Sequence, residues 1–315
     1  MNEAMRFFVS VDEADTRIDK LLSEILSKYS RSYIQSLIKD KKIFVNGKVV
    51  KPSYIVKEND ELCIDEIKDK TLDVTAENIP IDILYEDSDI LIVNKDKGMV
   101  VHPSVGHYSG TLVNAVLYHC KDLSNINGVL RPGIVHRIDK NTTGTLVICK
   151  NNNSHTIISG QLKEHSINRR YVAIAKGIFD KKEGRVDLPI GRDENNRLKM
   201  AVNYKNGKDA ITNYRVISEL KGASLVEFRL ETGRTHQIRV HMNSMGHTLL
   251  GDSLYGEKSF TKETKEQCLH ARLLGFVHPT LNTYVEYKAK IPDYMERLYK
   301  KLGGECTIEQ ILEND

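Results

Sequence analysis

The chain has only five cysteines, Cys63, Cys120, Cys149, Cys268 and Cys306, an odd number with no Cys-x-x-Cys pair among them. A zinc knuckle or dithiol redox motif in its usual form is excluded, and reduced, mostly buried thiols are expected. There is no apolar run near the ~20 residues that a membrane helix requires. Met1 to Ser10 carries Glu3 and Arg6 instead of the apolar core of a signal peptide, so a cytoplasmic location is expected. Also missing are a Gly-x-x-x-x-Gly-Lys phosphate cradle, a Gly-x-Gly-x-x-Gly dinucleotide turn, a Gly-x-Ser-x-Gly elbow and a His-Glu-x-x-His zinc helix. Nucleotide hydrolysis, nicotinamide redox chemistry and zinc proteolysis lose their signatures, and no cofactor is expected. Of the eleven histidines, His236 and His241 stand five apart, on different faces of a helix, so no metal site is expected.

What is present is a globular composition. With 40% hydrophobic and 28% charged residues the chain is neither disordered nor membrane-embedded, and 315 residues suggest two domains. The net charge of +3 is too mild to announce nucleic acid, but its distribution is uneven. Thr16 to Lys51 holds nine basic residues against Asp19, Glu24 and Asp40.

Beneath that charge lies a regular pattern. Thr16 is placed to cap a helix with apolar Ile18, Leu21, Leu22, Ile25 and Leu26, and Ser30 to cap a second with Ile34, Leu37 and Ile38. Asn46-Gly47 between two apolar runs predicts a hairpin, and a last strand is expected over Tyr54 to Ile64. As charge alone, the lysines are equally an ordinary solvated face. The runs Arg17-Ile18-Asp19-Lys20-Leu21, Ser30-Arg31-Ser32 and Phe44-Val45-Asn46-Gly47, however, resemble the S-four-type RNA-binding domain of a small-subunit ribosomal protein and several RNA enzymes, over roughly Thr16 to Asp65. In such a module Arg31, Lys39, Lys41 and Lys42 are expected to grip RNA phosphates.

A charged, aperiodic stretch closed by Pro80 reads as a linker over 66–80. Beyond it, apolar runs at 90–93, 145–149, 171–175, 211–217, 225–230 and 285–289 predict strands, with helices at 112–117, 157–162, 235–245 and 293–302. The fold class expected is α+β: a second domain over 81–305 on a mixed, mostly antiparallel sheet, preceded by a small α/β RNA-binding domain over 1–65.

Three segments in this second block carry chemistry. In the first, an apolar Ile134-Val135 strand leads into His136-Arg137-Ile138-Asp139-Lys140 and the polar turn Asn141-Thr142-Thr143-Gly144. An acid there, among cations, is expected to stay ionised and to serve as nucleophile or base, or else to form a structural ion pair at the turn. The others are Arg169-Arg170-Tyr171-Val172-Ala173 and Leu230-Glu231-Thr232-Gly233-Arg234-Thr235-His236-Gln237-Ile238-Arg239-Val240-His241. Taken singly, Tyr171 is a sheet tyrosine, and Arg234 and Arg239 are exposed helix cations.

In this order and at these separations the three segments resemble the pseudouridine synthase family, in its RluA-type branch acting mainly on ribosomal RNA. The likeness extends to Lys95-Asp96-Lys97-Gly98-Met99-Val100-Val101-His102-Pro103, Gly251-Asp252-Ser253-Leu254-Tyr255-Gly256, Leu269-His270-Ala271 and His278-Pro279, so it spans Asp82 to Leu302. With the S-four-type front, the order is similar to the RluD-like subgroup. Ile138, Asn141 and Thr143 depart from the common wording without removing a reactive group.

The resemblance implies Asp139 as catalytic aspartate, Tyr171 as the aromatic packed on the target base and Arg239 as the cation paired with Asp139. Arg137 fills the stack vacated by a flipped uridine, and Arg234 is a further RNA contact. The implied reaction detaches uracil from ribose, turns it and rejoins it through a ring carbon. The expected partner is structured RNA, first of all large-subunit ribosomal RNA, bound by a monomer. Transfer RNA as substrate, or a non-catalytic ribosome-assembly factor, are the alternatives.

Overall fold

The computed structural model describes residues 5–26, 31–65, 74–103, 107–127, 131–256 and 260–313. The chain divides into two compact units, Met1–Asp73 and Val74–Asp315. Ser30, the expected cap, and 66–73 of the expected linker lie outside the described residues.

The first unit runs β1 (Met5–Phe8), α1 (Ile18–Ile25), α2 (Arg31–Lys39), β2 (Ile43–Val45), β3 (Lys48–Val49) and β4 (Glu61–Ile64), with sheet order β1-β4-β2-β3. Its core joins Ile18, Leu21 and Leu22 of α1 to Ile34, Leu37 and Ile38 of α2 and to Ile43, Leu62 and Ile64 of the sheet. The hairpin turns at Asn46 and Gly47, whose φ of 49° and 73° are the pair of left-handed values that the tightest hairpin demands.

Two expectations shift. Arg17, not Thr16, is the N-cap of α1, with no side-chain capping bond, because its guanidinium turns to Asp19 instead. The strand expected from Tyr54 shrinks to Glu61–Ile64. Asp60 gathers the Lys57 amide at 2.9 Å, the Asn46 amide group at 2.7 Å and the Tyr54 hydroxyl at 3.2 Å into a turn that no extended chain could make.

The second unit contains β5 (Asp82–Glu86), β6 (Ile90–Lys95), α3 (Leu112–His119), β7 (Thr143–Cys149), α4 (Asn152–Lys163), β8 (Asn168–Lys176), β9 (Glu183–Asp187), β10 (Ile190–Arg192), β11 (Met200–Val202), β12 (Ile211–Leu220) and β13 (Ala223–Leu230). It continues with α5 (Gln237–Ser244), α6 (Thr261–Thr264), β14 (Leu269–Val277), β15 (Tyr284–Lys288), α7 (Asp293–Lys301) and α8 (Ile308–Glu313). Nine strands form one sheet in the order β5-β6-β7-β14-β8-β13-β12-β9, with β15 also on β14. Only β7 and β14 pair in parallel; the other ladders are antiparallel, as a mixed, mostly antiparallel sheet requires.

Both faces of this sheet are buried, which is why its central strands read as continuous apolar runs instead of alternating ones. Tyr171, Ala173 and Ala175 of β8 point into one core with α3 and α5, while Val172 and Ile174 point into the other with α7. Phe228, fully buried on the first face, contributes about 1.5–3 kcal/mol by burial alone.

The strand expected at Ile134-Val135 is a single bridge from Ile134 to Ile148. The reason is His136, whose Nε2 accepts the Val147 amide at 3.1 Å and so takes the place of a backbone carbonyl beside β7. Burial and the nearby Arg169 push this imidazole down to about 3, so the accepting nitrogen stays bare at neutral pH. The free cysteines follow expectation, with Cys120, Cys149 and Cys268 buried and Cys63 and Cys306 partly so. Among the described residues no helix is long and apolar enough to cross a membrane.

Candidate active site

Asp139 sits in the loop between the His136 bridge and the start of β7. Lys95, at the end of β6 and almost wholly buried, holds this loop from behind: it donates to the Lys140 carbonyl at 3.0 Å, and to those of Asp96 at 2.6 Å and Met99 at 2.9 Å. Lys97 donates to Thr264 and Gln267 carbonyls at 2.6 and 3.0 Å. Burial pushes Lys95 down to about 7, against the pull of Asp139 and Asp96.

From the other side the loop is sewn to the start of β14. The Thr143 hydroxyl meets His270 Nδ1 at 2.8 Å while Nε2 of the same ring donates to the Ala289 carbonyl, so the hydroxyl is the donor to Nδ1. Gly144 has φ of 114°, and a Cβ there would stand 2.1 Å from the Ala271 carbonyl oxygen. Only glycine allows β7 and β14 to approach this closely just past the catalytic candidate.

Arg239 reaches Asp139 from α5. Its Nη1 donates to Asp139 Oδ2 at 3.1 Å, but its closer bond is to Asp252, with Nε to Oδ2 at 2.7 Å and Nη2 to Oδ1 at 2.8 Å. Burial opposes the charge of Arg239; Asp252 and Asp139 more than offset it, and the guanidinium is held above its ordinary range. The ring of Tyr255 lies 5.0 Å from this guanidinium, and its hydroxyl is 2.8 Å from His236 Nδ1. Arg239 is thus a fully engaged cation with 6% exposure and not the exposed helix residue that it is when read alone.

The helix itself starts at Gln237, two residues later than expected, because the buried Gln237 side chain folds back on the preceding loop. Its Oε1 accepts the Arg234 amide at 2.9 Å and the Thr232 hydroxyl at 2.8 Å. His236, at φ 56°, makes the entry turn.

Asp139, Tyr171, Arg137, Arg234 and Arg239 all line one cavity of about 490 Å³, with Leu230 and Leu269 as apolar walls. Tyr171 is buried, and burial pushes its hydroxyl up to about 12, so it offers a neutral aromatic face. Arg137 is exposed at the rim and Arg234 half-exposed, its Nε donating to the Asp209 carbonyl at 2.9 Å. Asp252, Tyr255 and His236 escaped assignment from sequence, although Gly251-Asp252-Ser253-Leu254-Tyr255-Gly256 stood out; only the fold shows that it meets α5.

In the first unit, Lys39, Lys41 and Lys42 are exposed, as phosphate contacts must be. Arg31 differs: it donates to the buried Asp19 at 3.0 Å, which already holds Arg17. Among the described residues two clusters of metal-ligating types, Glu86-His119-Cys120 and Asp87-Asp89-His278, stand outside the cavity and contain their own contacts, Glu86 to His119 at 2.7 Å and Asp87 to His278 at 2.8 Å.

The chain matches the RNA pseudouridylate synthase family over 89–244 and the S4 domain over 16–62. It is 45% identical, over 93% of this chain and 96% of the relative, to the Bacillus subtilis (strain 168) protein named uncharacterized RNA pseudouridine synthase YlyB. It is also 45% identical, over 91% and 93%, to ribosomal large subunit pseudouridine synthase D of Zymomonas mobilis. In fold it is similar to human RNA pseudouridylate synthase domain containing 4, with a TM-score of 0.53 at 24% identity, covering 70% of this chain and 92% of that one. A cavity built around a carboxylate, an aromatic face and a paired arginine on this sheet, with such relatives over nearly its whole length, identifies the chain as a member of the RNA pseudouridylate synthase family, an RNA isomerase with an S4 domain at its front.

Proposed function

We propose that the chain isomerises specific uridines of large-subunit ribosomal RNA to pseudouridine, on a base flipped into the cavity beside Asp139. The carrying observation is the Asp139 carboxylate itself: Oδ2 is held by Arg239, Oδ1 has no hydrogen-bond partner among the described residues, and Asp139 lines the cavity together with Tyr171. Attack on ribose, attack on the ring and removal of a sugar proton all require such a carboxylate at the glycosidic bond. Tyr171 supplies the face on which uracil rests while detached, worth ~1–3 kcal/mol. Arg239 orients Asp139, Arg137 fills the vacated stack, and Arg234 holds the RNA backbone. No oxidant or consumed group is needed, because the product is an isomer.

Ribosomal RNA is favoured as substrate by the Zymomonas mobilis relative, whose name specifies the large ribosomal subunit. We assign 1–65 to RNA binding through Lys39, Lys41 and Lys42, with Arg31 lending charge, and 81–305 to catalysis, in a monomer working in the cytoplasm. The test incubates the protein and Asp139→Asn with unmodified large-subunit ribosomal RNA and with transfer RNA, mapping pseudouridine by carbodiimide-blocked primer extension. Asp139-dependent stops in ribosomal RNA support the reading. Stops in transfer RNA alone replace the substrate, and tight binding without stops leaves an assembly factor.

A further inference from the structure

One group in the cavity has no part in the chemistry above. Arg169 lies two residues before Tyr171 on β8, so both side chains emerge on the same face of the sheet, and both line the cavity. Its exposure is only 7%. Among the described residues no carboxylate pairs with it. Nη2 donates to the Glu231 carbonyl at 2.8 Å, and buried Nε has no hydrogen-bond partner at all. Nearby Arg170 has an acid, Glu227 at 3.5 Å, and of the two buried arginines that line the cavity Arg239 has two acids while Arg169, among the described residues, has none.

A buried cation without an anion is costly, and proteins retain one where a ligand supplies the missing charge. The loop across the cavity accommodates this guanidinium: a Cβ on Gly233 would stand 2.7 Å from Arg169 Nη1, so glycine leaves the room that the side chain occupies. The next residue, Arg234, also lines the cavity, bonded there only to a carbonyl. The acid of the cavity, Asp139, is already bonded to Arg239 on the other side.

We infer that Arg169, with Arg234 beside it, binds a phosphate of the flipped nucleotide, completing its charge only when RNA enters. Two guanidiniums without an acid suit a phosphodiester, which presents an anion with several acceptor oxygens, better than a neutral uracil carbonyl. This rests on the reading that the cavity receives the target uridine. The phosphate then sets how deep the nucleotide sits, and the base follows onto Tyr171.

The experiment uses the full chain as Asp139→Asn, with large-subunit ribosomal RNA fragments ethylated at random phosphates by ethylnitrosourea. Bound and free RNA are separated on filters and the phosphates whose ethylation blocks binding are mapped. The expected result is that Asp139→Asn/Arg169→Gln binds about tenfold more weakly and loses interference at one phosphate or two adjacent ones, while the remaining pattern persists. Arg169→Lys in the same background, which keeps the charge, is expected to retain that interference at reduced strength. An unchanged pattern in both variants, or a uniform weakening at all positions, overturns the inference. If carbodiimide mapping shows no conversion by the wild type while the Arg169-dependent phosphate is present, the isomerase reading fails and the inference stands; conversion with an Arg169-independent map fails the inference alone.

Discussion

The two units each build a buried ion cluster, and the two are charge mirrors of one another. In the first, one aspartate holds two arginines: Asp19, wholly buried, accepts Arg17 twice and Arg31 once at 3.0 Å, and Gln35 at 2.5 Å. In the second, one arginine holds two aspartates, Asp252 at its core and Asp139 at the cavity. The first leaves surplus positive charge on two half-exposed guanidiniums facing water, and every oxygen of its acid is used. The second leaves surplus negative charge, and one carboxylate oxygen without a hydrogen bond among the described residues. The first cluster fastens α1 to α2; the second holds a carboxylate at the wall of the cavity. What separates structure from chemistry here is which partner has an atom left over.

That contrast breaks most sharply at Asp139. Asp139→Asn keeps the shape but removes the charge, and turnover in a single-turnover assay is expected to fall about 10⁴-fold with RNA affinity within threefold. Asp252→Asn tests whether the buried partner matters to the rate. Arg239 then loses its bidentate anchor, and a fall of about 10–100-fold in kcat with KM nearly unchanged is expected, together with a lower melting temperature. A melting change without a kcat change would reduce Asp252 to a structural role.

Tyr171→Ala is expected to cost about 10–100-fold and Tyr171→Phe less than tenfold, since the hydroxyl is neutral at working pH. The reverse ranking of rates would move Tyr171 from stacking to proton transfer.

On the other side of the comparison, Asp19→Asn is expected to destabilise the first unit by about 2–3 kcal/mol, discounted for its half-exposed arginines, without changing single-turnover rates on saturating RNA. Arg17 above all holds the Asp19 carboxyl far below the usual carboxylate range, so its contribution is complete above the unfolded value of about 3.9 and is lost only as pH falls through the much lower folded value. Acid titration followed by circular dichroism should show this dependence in the wild type and its loss in Asp19→Asn. The smallest effect is expected at Lys39, Lys41 and Lys42. Changed together to alanine, they should reduce the slope of log affinity against log salt by about 2, at ~0.7–0.9 per phosphate contact.

Much of this was legible in the sequence, for local reasons. The Asn46-Gly47 hairpin and α1 and α2 are declared by turn chemistry and periodicity, and the strands at 171–175 and 225–230 by short apolar runs, signals that operate over a few residues. The motifs around Asp139, Tyr171 and Arg239 likewise marked what the fold gathers into one cavity. What escaped depends on contacts distant in sequence. The Asp252 bond to Arg239 is invisible until α5 meets its loop, and β14 stands out in sequence only as Leu269-His270-Ala271, its apolar run interrupted by His270 and Arg272. The missing strand at Ile134-Val135 depends on one imidazole standing in for a carbonyl, which no propensity anticipates.

The parallel pairing of β7 with β14 also sets when the enzyme comes into being. Thr143 and His270 are 127 residues apart along the chain, yet their bond fixes the loop that carries Asp139. Contacts of such long sequence separation form late, because the intervening chain must be ordered first. During synthesis the first unit is complete while the residues that fasten the Asp139 loop have yet to leave the ribosome. A growing chain therefore acquires its means of holding RNA well before its means of altering it.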